Sequence, residues 1–178
     1  LKQIDTCSNN IEESVQTIIN GAINSKLAAI DNNFESACFI STDKSRSATT
    51  VYGAMKYVAG ESFILNNENV KTKCSTALYG NVMNAIDLID KSLLLRDVTV
   101  VPYLKSFLVK DVFDIYKEEF GLDYELGTPR VNEKIHEIMA SEEEIPRMKY
   151  IEDKDYFTMD PHEIHGNVKF PSAEYSSK

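Results

Sequence analysis

The residues with the clearest chemical character lie near the end of the chain, in Asp160-Pro-His-Glu-Ile-His165. Two of the three histidines stand three positions apart there, flanked by the carboxylates of Asp160 and Glu163. Imidazole with carboxylate suits zinc or a non-haem metal, so His162 and His165 are the candidate metal ligands. Pro161 and Gly166 leave room for barely one helical turn. The spacing is not that of HExxH, which aligns two imidazoles across four positions and uses the glutamate as base. No third strong ligand is close in sequence, and His136 is distant. A polar patch in an exposed tail accounts for the same residues with fewer demands.

Other chemistries find less support. There is no GxSxG elbow, and three histidines offer few general bases for a serine or cysteine nucleophile. Seven glycines include neither GxGxxG nor GxxxxGK, so no phosphate-cradling loop is evident and no cofactor is expected. Asp111, Asp114 and Glu118 share a helical face with Lys110 and Lys117 beside them, the pattern of a solvated charged surface. No catalytic residue is assigned, and the reading is non-enzymatic.

Aromatic side chains form the more suggestive set. The candidate ligand-lining residues are Tyr52, Met55, Tyr57, Phe63, Tyr79, Tyr103, Phe107 and Tyr116. Tyr57 and Phe63 fall beside the apolar stripe and widen it. Such an arc fits a thick core, an assembly interface, or the wall of an apolar pocket between helices. The chain contains no tryptophan, so the volume must come from Phe and Tyr.

The elements that would position these residues read as helices. Apolar positions from Ile11 through Ile18, Ala22, Leu27, Ile30 and Phe34 to Cys38 step by three and four, predicting one long helix over 11–40. The polar stretch 41–50 reads as a loop, and the period resumes from Val51 to Leu65. Val70, Cys74, Ala77, Leu78, Val82, Ala85, Ile86, Ile89 and Leu93 predict a third helix. Residues 97–102 suit a short extended connection. A fourth helix follows Pro102, with Gly121 as its C′ residue, and a fifth opens at Thr128-Pro129. After residue 140 the prolines recur and no long stripe survives. The expected architecture is therefore all-α: about five helices bundled over 1–140, with an extended acidic strap over 141–178 docked by its aromatics.

Charge and cysteines bound the setting. The chain has 178 residues and a net charge of −9, without the basic footprint of a nucleic-acid binder. No apolar run approaches the roughly 20 residues needed to span a bilayer. The chain opens on Leu1 rather than Met, which reads as a processed secretory leader and an extracellular setting. Three cysteines leave one over after a single bridge. Along a straight helix Cys7 and Cys38 would lie roughly 45 Å apart, too far to bond. The expected disulfide is therefore Cys7–Cys74, with Cys38 free or bridged between chains. The leading expectation is a secreted, non-enzymatic helical protein holding a small, lipid-like apolar ligand between helices. A structural or protein-interaction component, assembling into homo- or hetero-oligomers through the aromatic face and acidic tail, is the alternative. A metal-dependent enzyme built on His162 and His165 is the third.

Overall fold

A computed structural model describes residues 4–80, 85–103, 108–125, 127–128, 138–166 and 175–176. It replaces the expected all-α bundle with an α/β sheet. The helical stripe over 11–40 is real only as far as residue 31. After α1 (Ile4–Asn9), the chain runs through α2 (Ile11–Ser14), a π-helical stretch (Val15–Asn20) and α3 (Gly21–Asp31). Asn33 then turns left-handed at φ 53°. Its N–H donates to the Ile30 carbonyl at 3.0 Å and the Phe34 N–H to the Ala29 carbonyl at 2.9 Å. That pair of bonds is a Schellman ending, and asparagine tolerates the left-handed residue it needs.

Past the stop, Ser36–Thr42 is strand β1 and Lys73–Tyr79 is strand β2. They run parallel in unbroken register from Ser36↔Lys73 to Thr42↔Tyr79. The predicted third helix is thus a strand followed, after a gap in the described residues, by α5 (Ala85–Leu93). β2 is buried from Cys74 to Tyr79 because it is covered on both faces. A strand so placed loses the alternation by which strands are recognised.

β3 (Thr99–Pro102) pairs parallel to β2 and antiparallel to β6 (Tyr156–Met159), which pairs antiparallel with β5 (Met148–Ile151). The sheet order is β1-β2-β3-β6-β5. Residues expected in an irregular strap therefore extend the sheet, with Tyr156, Phe157 and Met159 buried in it. β4 (Ile138–Ala140) and β7 (Tyr175–Ser176) form a separate two-stranded ladder. α4 (Val51–Ile64) occupies the span its period marks, and α6 (Val109–Phe120) ends at Gly121 with φ 65°. The predicted fifth helix lies mostly outside the described residues.

Three apolar clusters hold these layers. On one face, α4 contributes Tyr52, Met55, Ala59 and Phe63 to a cluster with Cys7, Ile18, Ala22 and Cys74. Leu78, Val101, Met148, Phe157 and Met159 form a second cluster with the β4 residues Met139 and Ala140. On the opposite face, Ala77, Tyr79 and Val100 meet Leu88 of α5.

Candidate functional site

The parallel strands deliver a turn of charged and hydroxyl residues to the carboxyl edge of the sheet, where open α/β sheets place their ligands. β1 ends at Thr42, and Asp43–Ser45 form a 3₁₀ turn. Asp43 is almost completely buried, with its side chain 1% exposed. Its Oδ1 accepts from Thr42 Oγ1 at 2.7 Å, from the Lys44 N–H at 2.8 Å and from Lys44 Nζ at 3.3 Å. Its Oδ2 has no partner among the described residues. A buried carboxylate oxygen without a donor costs free energy unless something supplies one. The Ser45 hydroxyl closes the turn by donating to the Thr42 carbonyl at 2.5 Å.

The first turn of α4 meets this turn. Thr50 caps the helix, its Oγ1 accepting from the Gly53 N–H at 3.1 Å. A Cβ on Gly53 would stand 2.0 Å from the Lys44 carbonyl oxygen, so only glycine lets the two backbones approach this closely. Tyr52 is thereby brought beside Lys44 and Asp43. Burial, then Cys7, pushes the pKa of its phenol up, with smaller opposing contributions from Lys44, which lowers it, and Asp43, which raises it. At neutral pH Tyr52 therefore holds its proton. Lys56, one turn further along α4, has its ammonium weakened by burial. Its Nζ donates to the Ile40 carbonyl at 3.2 Å and lies 4.8 Å from the Phe39 ring centroid.

One acidic, one cationic and one phenolic group thus converge at the end of a parallel strand. Such a set can accept a proton, donate one, and hold an anionic or hydroxyl-rich ligand. In the sequence Asp43 and Lys44 belong to a polar stretch expected to be a loop, and Tyr52 is expected as an apolar ligand contact. The available signal was an acid–base pair directly after the run Ala37-Cys-Phe-Ile40, with Tyr52 and Lys56 four apart on the next helix.

The remaining sequence-predicted residues scatter. Met55 and Phe63 pack in the α4 core beside Tyr52, and Tyr79 is buried on the opposite face of the sheet. Tyr57 and Tyr116 are exposed, and Phe107 lies outside the described residues. Tyr103 stands at the end of β3, its ring centroid 5.8 Å from that of Tyr150. A groove of about 640 Å³ follows the outer side of β1 past Ala22, Phe39, Ile40 and Phe63. It shares only Phe63 with the expected ligand set.

His162 and His165 are exposed; Asp160 Oδ1 accepts the backbone N–H of His162 at 2.7 Å and of Glu163 at 2.9 Å, fixing a local turn. Among the described residues no group of three or more His, Cys, Asp or Glu is placed to hold a metal ion. Cys7 and Cys74 share one buried cluster, but both are free thiols, as is Cys38, so the expected disulfide is not formed.

With that geometry fixed, the similarities to known proteins fall into place. A family model for polysaccharide biosynthesis proteins matches residues 1–86, a span that takes in β1, the Asp43–Lys44 turn, α4 and β2. An uncharacterized membrane protein of Methanocaldococcus jannaschii is 27% identical over 227 aligned residues, covering 100% of this chain and 67% of that protein. A UDP-N-acetylglucosamine 4,6-dehydratase (inverting) of Campylobacter jejuni is 25% identical over 156 residues, covering 83% of this chain and 43% of that enzyme. The chain thus spans less than half the length of that dehydratase. The structure of Pen from Bacillus thuringiensis superposes with a TM-score of 0.80 at 18% identity, covering 99% of this chain and 67% of that one. At that identity the likeness shows the fold alone, a Rossmann-like α/β sheet.

These similarities overturn the expectation of a non-enzymatic, extracellular lipid binder. They lie with polysaccharide biosynthesis, a membrane protein and an enzyme. Among the described residues no helix is long and apolar enough to cross a membrane.

Proposed function

We propose that this chain carries the acid–base residues of a nucleotide-sugar-modifying enzyme of polysaccharide biosynthesis, acting on a UDP-N-acetylhexosamine. The observation that supports this reading is the buried Asp43 carboxylate, one oxygen unpartnered among the described residues, set beside Lys44 and Tyr52 at the carboxyl edge. Eliminating water from a sugar requires one group to take a proton from carbon and another to protonate the departing hydroxyl. Asp43 Oδ2 is the acceptor in this reading, oriented toward a sugar hydroxyl or carbon-bound proton by the three bonds that fix Oδ1. Lys44 and Tyr52 are the donors. Lys44 also offers positive charge to the diphosphate, and the N-terminal end of α4 adds to it.

A Rossmann-like fold commonly serves a dinucleotide. The sequence contains no glycine-rich phosphate turn, so these residues do not fit that cofactor by themselves, and no step is assigned to it.

Isothermal titration with UDP-N-acetylglucosamine, combined with amide chemical-shift mapping, tests the reading. The nucleotide sugar is expected to bind and to shift the amides of residues 43, 44 and 52. Asp43→Asn and Lys44→Met are each expected to weaken binding at least tenfold while leaving the melting temperature within a few degrees. Absence of binding, or shifts confined to the groove along β1, would overturn it.

A further inference from the structure

We infer that Arg46 is the positioning residue of the Asp43–Lys44 turn, acting through a buried ion pair with Glu144; this rests on the reading of that turn as the acid–base site. Arg46 directly follows the 3₁₀ turn, and its N–H donates to the Asp43 carbonyl at 2.9 Å. Its side chain runs inward and is only 3% exposed. The guanidinium meets Glu144 Oε1 at 2.5 Å and Glu61 Oε1, on α4, at 3.8 Å. It also lies 5.4 Å from the centroid of the Tyr57 ring, again on α4. One side chain therefore joins the site turn, the helix that carries Tyr52, and a segment 98 residues further along the chain.

Glu144 is itself held fast. Its side chain is 8% exposed, its Oε2 accepts from the Ser141 N–H at 3.0 Å, and Arg147 Nη2 approaches its Oε1 at 3.8 Å. An acceptor fixed in this way transmits position rather than merely neutralising charge. Burying two ions is a poor route to stability, because desolvation offsets most of their attraction. What the pair supplies is geometry: a buried guanidinium nitrogen held against one oxygen of a fixed carboxylate restricts where the turn can sit. The bonds among Thr42, Asp43, Lys44 and Ser45 are local and can move together as a unit. Arg46 is the anchor that sets this unit against α4. Gly53 allows the turn and helix to touch, and Arg46 holds them there.

The test uses Arg46→Met, Glu144→Met and the double variant in the whole chain, read by amide hydrogen exchange and thermal melting. Each single variant is expected to speed exchange of the Lys44 and Arg46 amides at least tenfold, with Ala59 and Phe63 in α4 unchanged. The double variant, which removes both members of the most buried pair and leaves only the more exposed Glu61 and Arg147 to rearrange, is expected to recover part of the melting temperature but not the slow exchange of the turn. Unchanged exchange at the turn in the single variants would overturn the assignment. So would a double variant that restores both readouts, because the pair would then be purely structural. Should a Met variant fail to fold, Arg46→Lys and Glu144→Gln carry the same comparison. Wild-type chain that binds no UDP-N-acetylglucosamine but shows the expected exchange pattern would sink the proposed function and leave Arg46 as the anchor of the turn.

Discussion

Tyr79 shows how much a residue's chemistry depends on where the sheet puts it. At the end of β2 it is buried, and burial, with a smaller contribution from Cys38, pushes its phenol up to about 12. An unfolded-state phenol ionises near 10. The unfolded chain therefore loses its proton first, and the stability this group contributes below pH about 10 is lost as the pH rises through about 12. Tyr52 is raised in the same direction. Lys26 and Lys56 are lowered by burial and act oppositely: their penalty is present at neutral pH and is relieved as pH climbs toward the unfolded value. The contribution of Tyr79 is thus read by difference. Denaturant unfolding across the alkaline range should show a decline in wild type that is shallower in Tyr79→Phe; equal slopes would refute the burial argument.

Two glycines in α4 separate what an element needs for itself from what its neighbour demands. Gly60 has ordinary space around it: an added Cβ would meet Thr76 Cγ2 at 3.5 Å and Phe39 Cδ1 at 3.8 Å. Gly60→Ala should gain up to about 1 kcal/mol from helix propensity. At Gly53 the same methyl would stand 2.0 Å from backbone oxygen, which cannot swing aside as a side chain can. Gly53→Ala should cost about 3 kcal/mol, at the upper end of overpacking losses, and displace the Asp43–Lys44 turn. Chemical unfolding of the two variants measures both signs. A stable Gly53→Ala chain whose Asp43–Lys44 turn shows the amide exchange of wild type would mean the turn and helix need not touch.

The elements also show why a helical period misleads. Cys74, Ala77 and Leu78 step by three and one, as a helix face would, yet they sit on β2 with β1 on one side and β3 on the other. Short runs buried on both faces carry no alternation, so spacing alone cannot tell them from helix. Where the solvent-facing signals were local, they could be read. The period from Val51 marks α4, and Gly121 ends α6 as a left-handed residue.

At the scale of the whole molecule, the core is sealed without covalent help. Cys7 and Cys74 are 0% exposed in the α4 cluster, while Cys38 is half-buried near the edge of the sheet. Alkylation of the native chain should therefore label Cys38 first and leave the other two protected, with all three labelled after denaturation without reductant. A mass unchanged by two labels after denaturation would reveal a bridge. The C-terminal segment is equally integral. β6 places Tyr156 and Phe157 in clusters on opposite faces of the sheet, and Glu144 reaches Arg46, which follows the turn after β1. The acidic tail of the composition is thus partly a structural partner for Arg46.

By itself the sequence determined what is local: the span of α4, the stop at Gly121, and the acidic balance of the chain. Only the tertiary structure decided that residues 36–42 and 73–79 are parallel strands, because that choice depends on partners dozens of residues away covering both faces. It alone decided the site as well. Asp43 and Lys44 lie in a stretch of small polar residues with no distinguishing pattern. β1 carries them to the carboxyl edge of the sheet, Gly53 lets α4 touch the turn, and Arg46, next in the chain, ties it to Glu144, 98 residues further along. Burial and close contact define this place in the fold, and neither exists until the chain has folded.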